Sequence, residues 1–152
     1  MSEDAARQLE QALDAFDPAI AEQARAALAF FRARYPAANR LAYDNYNALA
    51  IGFASGEKQS TIAFSVTLYP RWVSLFFARG VELADAHAML VGDGTRIRSV
   101  VLKDGLTHED PRVLELVDEA MNILEPPLNP EEEGQLIMKS ISPKKRPRRP
   151  TR

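Results

Sequence analysis

Two glycines with two arginines behind them, in Gly92-Asp93-Gly94-Thr95-Arg96-Ile97-Arg98, make the segment of this chain best suited to hold an anion. Glycine takes positive φ without steric cost, so successive N–H groups can turn inward as a nest. Arg96 and Arg98 would add guanidinium groups, which grip a carboxylate or phosphate through paired hydrogen bonds. The segment lacks the lysine–serine/threonine ending of a nucleotide P-loop and the third glycine of a dinucleotide loop. A tight turn into a strand, with both arginines facing solvent, is the competing reading.

A second candidate is Tyr43-Asp44-Asn45-Tyr46-Asn47, where two aromatic rings bracket short polar groups. Tyr43 and Tyr46 could wall a pocket mouth while Asn45 orients a polar ligand, or the rings could anchor a capped turn. Asp44 has no visible partner that would make it a general base. No Gly-x-Ser-x-Gly elbow occurs, and His87 and His108 read as surface histidines rather than ligands or bases. With no cysteine there is no thiolate nucleophile and no disulfide, which fits a reducing cytoplasm.

Glu3, Glu10, Asp14 and Asp17 follow one another at steps that align them on one helix face, with Arg7 interrupting. Clustered carboxylates suit hard cations and iron, although a solvated helix face has the same pattern. The opposite charge gathers at the other end. Seven basic and no acidic residues lie between Lys139 and Arg152, leaving an acidic body with a basic tail beneath a net charge of −2. Lys144, Lys145, Arg146, Arg148 and Arg149 could contact a polyanion such as a phosphate backbone. Alternatively, the tail could fold back on the acidic body, for instance near Glu131-Glu132-Glu133. Prolines are its only apolar residues, so residues 143–152 are expected to be disordered and dispensable for stability.

The elements that must position these groups follow from changes of period. At 152 residues, residues 1–142 are expected to form a single domain, with no run long enough to span a membrane. Leu9, Leu13 and Phe16, with Ala6, sit at helical steps. Asp17-Pro18 then caps and starts a second helix with the stripe Ile20, Ala24, Ala27, Leu28 and Phe31, ending before Pro36. From Leu49 the period shortens to two. Ile51 and Phe53, then Ile62 to Leu68, then Val73 to Phe77 read as antiparallel strands joined by turns. The small residues alternating with them, Ala48, Ala50, Gly52, Ala54, Ala63 and Ser65, predict a closely packed helix or neighbouring loop, or a ligand floor. Leu83 to Leu90 reads as a short helix and Ile97 to Leu102 as a strand. Asp110-Pro111 opens a last helix carrying Val113, Leu116, Val117 and Met121, and Leu136 to Ile141 reads as a closing strand. The result is an α+β two-layer sandwich: an antiparallel sheet of about five strands with N- and C-terminal helices packed on it. Its core should contain Leu28, Phe31, Ile51, Phe53, Phe64, Val66, Leu75, Val117 and Met121.

Tyr43, Ile51-Gly52-Phe53-Ala54, Leu68-Tyr69-Pro70, Val73-Ser74-Leu75, Phe77-Ala78-Arg79-Gly80, Leu83, Leu90 and Gly92-x-Gly94 occur in an order that resembles the YdhG-like domain-of-unknown-function family. Members often carry lysine after the second glycine of the loop, where Thr95-Arg96 stands here, which would shift an anion role to Arg96. The resemblance implies a frataxin-like α+β fold. Some relatives are described as iron chaperones, so it also implies iron as a cofactor or cargo at the acidic helix. No residue set supplies nucleophile, base and oxyanion donor together. The expectation is therefore a non-enzymatic, cytoplasmic ligand-binding or interaction module with a small anionic ligand or protein partner. The alternatives are iron binding, and an enzyme or binder for a small anion at Gly92–Arg98.

Overall fold

The computed structural model describes residues 2–150. Among them are three α-helices, six strands and two single 3-10 turns. Helix α1 (Ser2–Asp14) and α2 (Pro18–Arg34) precede β1 (Asn39–Asp44), β2 (Leu49–Ala54), β3 (Ile62–Leu68), β4 (Val73–Phe77) and β5 (Arg98–Leu102). Helix α3 (Pro111–Asn122) and β6 (Leu136–Ile141) complete the chain. The α+β two-layer class expected from sequence is present. The sheet is nevertheless mixed, with spatial order β5-β4-β3-β2-β1-β6, because β6 joins β1 in parallel.

Strand β1 is the element the hydrophobic pattern hides. Its register places Arg40, Ala42 and Asp44 opposite Phe53, Ile51 and Leu49. Directly opposed residues share a face. The core-facing positions of β1 are therefore two charged residues and an alanine, and no apolar alternation marks the strand.

The core itself is an aromatic ladder. Phe53, Phe64 and Phe77 stand opposite one another on β2, β3 and β4. Phe53 and Phe64 stack at 4.9 Å, and Phe31 from α2 meets Phe64 edge-on at 5.0 Å. Of the expected core residues, Leu28 is only half-buried; the others are buried. In α1 the buried face is Ala5, Leu9, Ala12 and Leu13, continued by Phe16 in the link to α2, whereas Ala6 is exposed. Helices α2 and α3 are joined by hydrogen bonds from Arg34 and the Tyr35 hydroxyl to Asp118. Burial pushes the Tyr35 hydroxyl up, and the Arg34 guanidinium holds the Asp118 carboxyl below its ordinary value.

Several local expectations are corrected. Both Asp-Pro pairs start helices, but only the Asp110 carboxylate caps, accepting the Arg112 N–H at 2.9 Å; Asp17 makes no such bond. Leu83 to Leu90 is not helical. Asp85 and Ala88 have positive φ, and the Asp85 carboxylate takes the N–H groups of Met89 and Leu90. At Gly52 the small-residue face receives a side chain rather than a helix. Ile62 lies over Gly52, where an added Cβ would come within 2.7 Å of it. His108 is buried rather than on the surface, with its ring 5.2 Å from Phe30 and 6.0 Å from Phe31.

Candidate functional site

Strand β4 ends at Phe77, and Arg79 then bends the chain into the 3-10 turn Gly80–Glu82. That turn sits directly on the glycine loop: the Val81 N–H donates to the Arg96 carbonyl at 3.0 Å. Contact this close needs Gly80, since a Cβ there would lie 2.4 Å from the Arg98 Cβ. Arg79 ties the turn to the end of α3. Its Nη1 donates to the Ile123 carbonyl at 2.6 Å, while Nε and Nη2 grip Glu82 at 2.7 and 2.6 Å. Arg79, with a weaker contribution from Arg96, holds the Glu82 carboxyl below the usual carboxylate range.

Between these pieces lies an open cleft of about 860 Å³. Its floor is apolar, formed by Ile62, Ala63, Phe77, Leu83, Ala120 and Leu124. Its rim carries Gln59, Ser60, Arg79, Glu82, Thr95, Arg96 and Glu125. Arg96 is exposed and its guanidinium bonds no acceptor among the described residues, whereas Arg79 is fully engaged. The size falls within the range of small-molecule sites, and an apolar floor with few polar groups at its edge is their usual chemistry.

The structure divides the glycine-loop candidates. Gly94 and Arg96 line the cleft, but Gly92 and Arg98 do not. Arg98 instead pins the loop from behind, donating to the carbonyls of Gly94 at 2.6 Å and Ile97 at 2.8 Å. An anion grip shared by both arginines is therefore not formed.

Tyr43, Asn45 and Tyr46 lie at the far side of the sheet, with β2, β3 and β4 between β1 and β5. They build no common pocket with the glycine loop. Asn45 to Asn47 form the β1–β2 turn, closed by Asn45 N–H to the Ala48 carbonyl at 3.0 Å. Tyr43 is half-buried, which pushes its hydroxyl up, and Tyr46 is exposed.

This turn receives the basic tail, which packs where disorder was expected. Asp44 is buried and accepts Lys145 Nζ at 2.6 Å and Arg148 Nη2 at 2.9 Å. Arg148 also donates to the Asn45 carbonyl and stands 5.5 Å from the Phe16 ring centre. The Arg146 N–H donates to the Tyr46 carbonyl at 2.8 Å. Arg149 reaches the Asp14 and Ala15 carbonyls, at the helix C-terminus where a cation is favoured. Lys144 and Arg146 point their charges into solvent without a side-chain partner among the described residues. The tail therefore folds back on Asp44 and α1, not on Glu131–Glu133.

The acidic set is not assembled around a cation. Glu10 and Asp14 do converge, but on the Arg25 guanidinium, at 3.0 and 2.7 Å. Asp17 lies 3.9 Å from Arg149, and Glu3 is exposed. Among the described residues, no group of three or more histidine, aspartate or glutamate side chains is placed to hold a metal ion.

Sequence reading missed Gln59, Ser60, Arg79, Glu82 and Glu125 as site residues, because four separate segments contribute to the cleft. The Phe77-Ala78-Arg79-Gly80 strand end was the available signal: a charged residue and a glycine directly after a buried strand. Comparisons of the chain with protein-family models, with curated proteins and with solved structures give no match.

Proposed function

We propose that the protein is a non-enzymatic small-ligand-binding module whose cleft takes a compound with an apolar body and a carboxylate head. The observation that carries this reading is the pairing of an apolar floor with Arg96, an uncommitted guanidinium at the rim. The body would displace water from Ala63, Phe77, Leu83 and Leu124, supplying most of the affinity. Arg96 would supply preference for the anion. The rim hydroxyls of Ser60 and Thr95 have no histidine beside them, and Glu82 is held by Arg79. Such a set is suited to holding a ligand rather than attacking it. Membership of the YdhG-like family would be compatible with this reading, as would a cytoplasmic location.

The test is calorimetric titration with medium-length alkyl and aryl carboxylates beside their matched alcohols. The carboxylates are expected to bind more tightly. Arg96→Ala should remove that preference, about fivefold for a rim contact, while leaving the alcohols unchanged. Ala78 also lines the cleft, so Ala78→Phe should narrow it and weaken both series. Equal binding of acids and alcohols by the unmodified protein would refute the assignment of Arg96.

A further inference from the structure

At the opposite edge of the sheet from the cleft, the tail is both the most cationic segment of the chain and a strap held in cis. Lys145, Arg148 and Arg149 are turned inward onto Asp44 and the end of α1, while Lys144 and Arg146 remain outward. Apart from the Arg148 ring contact, every contact named for the strap is ionic or a hydrogen bond, and the proline side chains provide little apolar surface. We infer that this strap is an autoinhibited nucleic-acid-binding arm: the phosphate backbone of a duplex engages Lys144 and Arg146 first, then draws Lys145, Arg148 and Arg149 away from Asp44.

The chemistry favours a phosphate backbone over a lipid surface. From Ser142 to Arg152 there is no aromatic or aliphatic residue other than proline to enter a bilayer, and phosphate contacts need only cations. Pro143, Pro147 and Pro150 restrict the backbone of the segment, which reduces the entropy lost when it is ordered along a row of phosphates. Asp44 competes with those phosphates for the same two side chains. A carboxylate that stabilises the closed strap must therefore lower duplex affinity in proportion to the closed fraction.

The full-length chain is titrated into a labelled mixed-sequence DNA duplex at low salt, with amide exchange followed in the unmodified protein. Binding is expected, and the Arg146 amide should lose its protection in the complex because its bond to the Tyr46 carbonyl breaks. Asp44→Asn should bind the duplex about tenfold more tightly if the strap is closed in roughly nine molecules of ten. Lys145→Ala/Arg148→Ala should weaken binding although both side chains face inward in the free protein. Retained Arg146 protection in the complex would overturn the inference. So would an Asp44→Asn variant, folded by circular dichroism, whose affinity is unchanged or lower, or binding to anionic vesicles with none to duplex. If Asp44→Asn does not fold, the exchange measurement on the unmodified protein decides alone.

Discussion

Arg148 and Asp44, separated by 104 positions in the chain, meet as an ion pair in which both side chains are buried, at 2.9 Å. Lys145 reaches the other carboxylate oxygen from a more exposed position. The pair fastens residues 145–148 to β1, and Arg148 also meets Phe16 in the link between α1 and α2.

Removing one partner of a buried pair leaves an uncompensated charge, which typically costs about 3–5 kcal/mol. Here the open strap returns Asp44 to solvent at a cost of only about 1.4 kcal/mol when nine molecules in ten are closed, so Arg148→Ala is expected to lower unfolding stability by no more than about that amount in urea titration. Lys145→Ala should cost no more than about 1 kcal/mol, because that partner is partly solvated. Equal and negligible losses would mean that the pair contributes nothing to stability.

The same pair shows where sequence reading stops. The change of period from 3.6 to 2 and back was legible because Phe31, Phe53, Phe64 and Val117 lie on apolar faces of regular elements. Strand β1 escaped because Arg40, Ala42 and Asp44 occupy its inward positions. The tail escaped because its anchoring is ionic and its partner is remote in the chain, so composition alone reads as disorder. In the cleft, the glycine loop was visible as a motif. Its arginines looked equivalent, however, and only packing against Gly80 separates Arg98, which holds the loop, from Arg96, which faces outward.

Gly80 is predicted to be intolerant of any side chain. A Cβ would lie 2.4 Å from the Arg98 Cβ and 2.6 Å from its backbone nitrogen, which cannot move aside as a flexible side-chain end can. Gly80→Ala should destabilise by about 1–3 kcal/mol through overpacking. It should also separate the 3-10 turn from the loop, weakening the Val81-to-Arg96 bond. Thermal unfolding gives the first effect, and exchange of the Val81 amide gives the second.

Phe64 occupies the centre of the aromatic ladder, between Phe53 and Phe77 on neighbouring strands and beneath Phe31. Phe64→Ala removes a fully buried ring and its edge-on and stacked contacts together. The expected loss is about 3–5 kcal/mol. Phe64→Leu should recover much of it by refilling the volume. A chemical denaturation curve for Phe64→Ala that overlays the parent would contradict the packing.

His108 gives a pH dependence whose sign follows from its surroundings. Burial against Phe30 and Phe31 lowers its pKa, and the nearby Glu109 carboxylate only partly opposes that effect. The folded protein thus binds a proton at this ring less readily than the unfolded chain, whose histidine titrates near 6.5. Its contribution is fully present above about pH 6.5 and is lost as pH falls through the lower folded value. Melting temperature should therefore decline on acidification just below pH 6.5, before the carboxylates begin to protonate. His108→Gln keeps a polar side chain without a titrating ring, so it should flatten the curve in that window while leaving the acid limb at lower pH in place. A variant curve with the same slope between pH 6.5 and the onset of carboxylate titration would assign the effect elsewhere. The other histidine, His87, pairs with Glu115 at 2.8 Å on the exposed surface. Comparing His87→Gln/His108→Gln with His87→Gln alone therefore isolates the His108 contribution to the slope.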